Sequence, residues 1–140
     1  MQGMSVVIGS NSAHTCAILD NGSVMCWGNN ANGQLGLGNT STLESSPQYV
    51  DIGAGRTAIQ LTTGNTHTCA LLDNKSVSCW GSNAFRQLGI DSSIAYSSIP
   101  MHVNITAIEI HSAHLHTCAK LDNGSVMCWG YNNYGQMVRR

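Results

Sequence analysis

Apolar and polar residues alternate along this chain in short runs, each fenced by Gly, Asn, Asp or Ser. Ser5-Val6-Val7-Ile8 and Ala58-Ile59-Gln60-Leu61-Thr62 are β-branched stretches of this kind. Such runs predict strands joined by turns and disfavour a helical solenoid. Three longer stretches recur almost verbatim: HTCAILDNGSVMCWG at 14–28, HTCALLDNKSVSCWG at 67–81 and HTCAKLDNGSVMCWG at 116–130. Their histidines lie 53 and 49 residues apart. A period near 50 residues made of strand-like pieces points to a propeller or another repeat array.

Each recurring phrase folds on paper into a hairpin. Asp20-Asn21-Gly22 suits a three-residue loop, a type I turn followed by a left-handed glycine that forms a bulge. That register sets Leu19 opposite Ser23, Ile18 opposite Val24, Ala17 opposite Met25 and Cys16 opposite Cys26. If the Leu19–Ser23 pair is hydrogen-bonded, alternation makes Cys16–Cys26 a non-hydrogen-bonded pair with Cα atoms about 4.5 Å apart, close enough for a disulfide. The same count gives Cys69–Cys79 and Cys118–Cys128. Six cysteines allow 15 pairings, and one spacing used three times makes the intra-unit solution the simplest. The alternative is six reduced, buried thiols acting as small hydrophobes.

Composition narrows the classes. Only 9% of residues are charged, the net charge is −1 and 42% are hydrophobic, a balance that argues against disorder. Six Lys and Arg scattered over 140 residues make no clustered basic surface, so no nucleic-acid partner is expected. No apolar run approaches the roughly 20 residues of a membrane span. MQGMSVVIGS has neither the basic start nor the long apolar centre of a signal peptide. Paired cysteines nonetheless imply an oxidising compartment, whether extracellular, periplasmic or lumenal.

A second phrase follows each CWG: GNNANGQLGLG at 28–38, GSNAFRQLGI at 81–90 and GYNNYGQMV at 130–138. A glycine such as Gly64 shortly before the histidine, then an apolar strand, then WG-x-N-x-x-GQLG, resembles the repeat of the regulator of chromosome condensation family. The likeness runs over essentially the whole chain and is clearest in the first two units. It implies an all-β fold of four-stranded antiparallel blades, usually seven to a ring. Residues 1–140 would then form one partial β-propeller of about three units, near 1–46, 47–98 and 99–140, in an incomplete ring. The cysteine pairs depart from the nuclear namesake and match secreted-looking relatives. The place of Gly64 is taken by Asn11 and Ala113, and alanine would tolerate a left-handed backbone there poorly. Lys75 replaces the bulge glycine, so strain is expected in the second turn. Arg86 stands where Gly33 and Gly135 stand, and the third unit ends in Met137-Val138-Arg139-Arg140. Three units leave blade faces bare, so more blades in a longer parent chain are expected, with self-association of several chains to close the propeller as the other route.

Little in the sequence is organised for catalysis. His14, His67 and His116 each precede a cysteine by two residues and share its strand face. H-x-C with C-x9-C lacks the short spacings of established zinc modules, so packing is the expected role and no metal is expected. His102, His111 and His114 lack a partner pattern and are expected to be exposed. No serine is set apart as a nucleophile. Asp20, Asp73 and Asp122 hold the first loop position, where their side chains are expected to cap the turns. GLG at 36–38 lacks the Lys-Ser/Thr and helix of a phosphate loop. No catalytic, cofactor or metal residue is therefore expected. Trp27, Trp80 and Trp129 read as inter-blade core. Sequons at Asn21, Asn39, Asn74, Asn104 and Asn123 carry little weight, three of them falling in hairpin turns.

The expected function is a non-catalytic protein–protein interaction module binding an unidentified protein partner. Loops that differ between units beside repeated scaffold phrases mark the recognition surface. The candidate partner-binding residues are Asn29, Asn30, Asn32, Ser82, Asn83, Phe85, Arg86, Tyr131, Asn132 and Tyr134. Guanine-nucleotide exchange on a small GTPase is the alternative that the family resemblance implies. No residue of this chain carries it.

Overall fold

The computed structural model describes residues 5–8 and 13–132, and within them the chain forms ten strands and no helix. They are β1 (Ser5–Ile8), β2 (His14–Ile18), β3 (Val24–Asn29), β4 (Leu43–Val50), β5 (Ala58–Thr63), β6 (His67–Leu72), β7 (Ser76–Ser82), β8 (Tyr96–Ala113), β9 (His116–Leu121) and β10 (Val126–Gly130). β1 to β4 form one antiparallel four-stranded sheet in chain order, and β5 to β10 form a six-stranded one. The second sheet is two blades sharing a strand. The first part of β8 pairs with β7, up to Ser76 opposite Thr106, and the part from Ala107 onward pairs with β9. Two four-stranded blades and three strands of a third therefore follow one another, an all-β incomplete propeller.

The hairpins have the register that the turn chemistry predicts. Cys16 faces Cys26, Ala17 faces Met25 and Ile18 faces Val24, while the Leu19 amide donates to the Ser23 carbonyl at 2.9 Å. Gly22 and Gly124 hold φ of 82° and 89°, and Lys75 is forced to 70° in the same place. The three cysteine pairs are disulfide-bonded, with Cα atoms 4.0 to 4.1 Å apart. Turn capping falls to the middle residue, contrary to expectation. Asn21, Asn74 and Asn123 accept from the amides of Ser23, Ser76 and Ser125. The first loop position instead ties the hairpin tip to the preceding strand. Asp73 accepts from the Thr57 amide and lies 3.5 Å from Arg56, and Asp122 accepts from the Thr106 hydroxyl.

Strand alternation gives each blade two faces. Cys16, Cys26 and Val24 of the first blade pack against Ala58, Leu61, Ala70, Leu72 and Trp80 of the second. Cys69, Cys79 and Val77 of the second meet Ile110 and Ala119 of the third. Adjacent residues on one strand point opposite ways, so Cys26 and Trp27, or Cys79 and Trp80, serve successive seams. The core is thus stacked between blades rather than enclosed within one, as expected of a repeat array.

Candidate partner-binding face and the inter-blade seam

One buried relay joins successive blades. The Thr68 hydroxyl donates to the Gln34 carbonyl at 2.8 Å, and His14 Nε2 lies 2.8 Å from that hydroxyl oxygen. Thr117 does the same with the Gln87 carbonyl and His67 Nε2, both at 2.9 Å. A hydroxyl has one proton, and it is committed to the carbonyl, so each histidine must donate from Nε2. Burial favours that neutral ring. It lowers His14 to about 4, partly offset by a backbone hydrogen bond at His67, and lowers His67 to about 3 with the charges of His14 and His116 acting in the same direction. No metal-binding cluster forms among the described residues. His102, His111 and His114 are exposed.

The glycines complete the seam. A Cβ on Gly36 would come within 2.8 Å of Trp80 Nε1, and one on Gly89 within 2.7 Å of Trp129 Nε1. The indole of each blade therefore lies against the Gln-Leu-Gly loop of the blade before it. Gly64 has a related role, and the expectation of a left-handed backbone there is corrected. It is absent from the positive-φ glycines, and a Cβ would clash with the His67 ring. Space beside the relay histidine is what that position needs, and Ala113 is not left-handed either.

Several candidate loop residues turn out to be internal. Asn30 and Asn83, expected on the presented surface, are buried. Asn30 Nδ2 donates to the Asn39 carbonyl and to Asn39 Oδ1, and Asn30 Oδ1 accepts from the Leu35 amide. Asn83 clasps its own loop to Asp91, Ile94 and Leu88 in the same way. Ser82 is buried and accepts from the Ala84 amide. Asn29 accepts from Ala31, and Asn29 and Asn32 are half-buried. Gln34 and Gln87, part of the repeated phrase but not among the candidate binding residues, hold the loops through Asn32 and Phe85. Their threefold recurrence in GQLG, GQLG-like RQLG and GQMV was the available signal.

What remains outward is a smaller set. Phe85 is 44% exposed, and its ring meets Tyr131 edge-on with centroids 5.2 Å apart. Arg86, held at φ of 64°, lies exposed beside them. With Ala84, Gly130 and Asn132 they line a cleft of about 260 Å³. Tyr134 lies outside the described residues.

Fold and seam together define a class, a partial β-propeller assembled from near-identical blades. The pattern of the regulator of chromosome condensation (RCC1) repeat matches residues 6–34, 58–87 and 115–136, and a second form matches 21–71. The chain belongs to this repeat family. It is 37% identical to Protein RCC2 of Mus musculus over 86 residues, covering 61% of the chain and 16% of that protein. It is 36% identical to the probable E3 ubiquitin-protein ligase HERC4 of Homo sapiens over 56% of the chain and 7% of that protein. Among solved structures, Prp20p from Saccharomyces cerevisiae matches with a TM-score of 0.84 at 17% identity, over 91% of the chain and 33% of its own. Human WBSCR16 gives 0.82 at 23%, over 97% and 35%. The chain thus spans about a sixth of RCC2 and about a third of the solved propellers.

Proposed function

We propose that the chain is a non-catalytic protein-binding module that holds its partner on the cleft of Phe85, Arg86, Tyr131 and Asn132. The observation that carries this reading is the convergence of side chains from two blades. Phe85 and Arg86 come from the second, and Tyr131 follows the last strand of the third, while the polar residues of the same loop phrases are consumed internally. Aromatic and arginine side chains in one partly sheltered patch are the usual anchors of an interface. Arg86 adds a charge that no carboxylate neutralises among the described residues, which suits an acidic group on the partner. The three disulfides support a partner met in an oxidising compartment.

A structure of Prp20p is described with its binding properties to Gsp1p and histones, which supports protein binding as the general use of this fold. Nucleotide exchange is the second reading, resting on that likeness alone. Capture by the wild-type chain should be compared with the Phe85→Ala, Arg86→Ala, Tyr131→Ala triple variant, both checked for folding. A partner retained equally by the folded triple variant sinks the proposal. Faster nucleotide release from a small GTPase at sub-stoichiometric chain would select the exchange reading.

A further inference from the structure

The second blade departs from the repeat at one side chain, the connection leading into it departs in length, and both departures border one cavity. Met25, Ser78 and Met127 stand opposite Ala17, Ala70 and Ala119, the same place in three hairpins, so only the second blade exchanges methionine for serine. Seven residues, 51–57, join Val50 to Ala58, whereas the next unit crosses from Val103 to Ala107 with three, 104–106. The cavity has a volume of about 540 Å³, and its lining includes Leu37, Tyr49, Asp51, Ser78, Ile99 and His102. It lies between the first and second blades, each present with all four strands. Ser78 shares its strand face with Trp80, turned to the first blade, and His102 stands opposite it on β8. Ser78 is only 8% exposed, and its hydroxyl has no hydrogen-bond partner among the described residues. A sheltered hydroxyl in that state has given up bonds to water that only a guest in the cavity can restore. One oxygen of Asp51 accepts from the Gly53 amide at 3.0 Å, which leaves the other for such a guest. The wall is fixed in place, because the Gly38 amide donates to the Ser98 carbonyl at 2.8 Å and ties the first blade's loop to β8.

We infer that this cavity is a binding site for a neutral saccharide. Tyr49, Ser78 and His102 supply hydroxyl and imidazole groups that donate and accept, as sugar hydroxyls do, and Asp51 accepts from them. Leu37, Ile99 and the tyrosine ring offer apolar surface to the C–H faces of a sugar ring. No Lys or Arg lines the cavity among the described residues, so a phosphate or other anion finds no counter-charge there. A few polar groups set among apolar ones, in a volume between about 300 and 1,000 Å³, is the ordinary build of a small-molecule site. The cavity shares no lining residue with the cleft of Phe85 and Tyr131, so it goes beyond the protein-binding reading and does not depend on it.

The test titrates the full, oxidised 140-residue chain, labelled with 15N, with glucose, galactose, mannose, N-acetylglucosamine, maltose, cellobiose and lactose. Methylammonium and inorganic phosphate serve as charged probes. At least one sugar should shift the amides of Gly38, Gly53 and Ser78 saturably, while those of Phe85 and Tyr131 stay in place. Ser78→Met puts into the cavity the residue that the first and third blades carry there, so it should fold, keep or raise the urea midpoint, and lose those shifts. Asp51→Asn keeps an acceptor for the Gly53 amide and should weaken binding of the same sugar. The inference is overturned if no sugar moves the three amides, or if either folded variant binds as the wild type does. Movement of those amides by methylammonium or phosphate but by no sugar would also overturn it, by naming a charged ligand instead.

Discussion

His14 and His67 occupy equivalent places, and their chemistry makes the seams sensitive to acid. Each must stay neutral to fit its dry site, which holds its pKa at about 4 and about 3 in the folded chain. An unfolded histidine titrates near 6.5, so below that pH the unfolded chain binds more protons than the folded one. Stability is fully present above pH 6.5 and falls as pH drops toward 4, continuing to about 3 for His67. The slope should be about 1.4 kcal/mol per pH unit for each histidine. Urea midpoints at pH 7, 6 and 5 would measure it, and a His67→Gln variant should show a shallower fall. An equal slope in that variant would mean that other groups govern the acid response. Lys75 gives a prediction of opposite sign. Its left-handed φ is one that glycine adopts freely, so Lys75→Gly should raise stability by up to about 1 kcal/mol, visible in the same urea midpoints. The position was legible in the sequence because DNG becomes DNK there. The role of Gly64 was not, since a glycine kept for ring clearance looks in one sequence the same as one kept for φ.

Among elements, the cysteine hairpin was the most legible. A three-residue loop fixes register, register fixes which residues face each other, and the facing residues were cysteines. Closing each loop should contribute about 3 kcal/mol through the entropy of the unfolded chain. Loop length is the same in all three hairpins, so position must separate them. Cys69 and Cys79 are fully buried in the seam between the second and third blades, whereas Cys118 and Cys128 are half-buried. Cys69→Ala with Cys79→Ala should therefore cost more than Cys118→Ala with Cys128→Ala, by about 1 to 2 kcal/mol of lost packing. Denaturation of the two double variants under matched oxidation would decide it, and equal losses would leave only the entropic part. β8 was less legible. Tyr96 to Ala113 contains no glycine to mark where one blade ends and the next begins, so continuous strand serves both. Asn30 and Asn83 misled for a related reason. Asparagine in a turn-rich phrase reads as exposed, and only the fold reveals that its amide clasps the loop from inside.

At the scale of the whole molecule, stability should spread through the seams, because each blade buries its core only against a neighbour. Gly36 and Gly55 allow this to be separated from local backbone strain. Their φ values are 72° and 73°, so alanine at either costs a similar amount in the backbone, about 1 kcal/mol. They differ in what a Cβ would meet. At Gly55 there is nothing within 4 Å, while at Gly36 it presses on the indole of Trp80, a fully buried residue in the core shared by the first two blades. Gly36→Ala should cost about 1 to 3 kcal/mol more than Gly55→Ala through overpacking. It should also weaken hydrogen-exchange protection in β2 and β3 of the first blade and in β6 and β7 of the second together. Protection lost in the first blade alone would mean that the blades are held as separate units. Loss on both sides would establish the Gln-Leu-Gly contact with tryptophan as the joint on which the array depends.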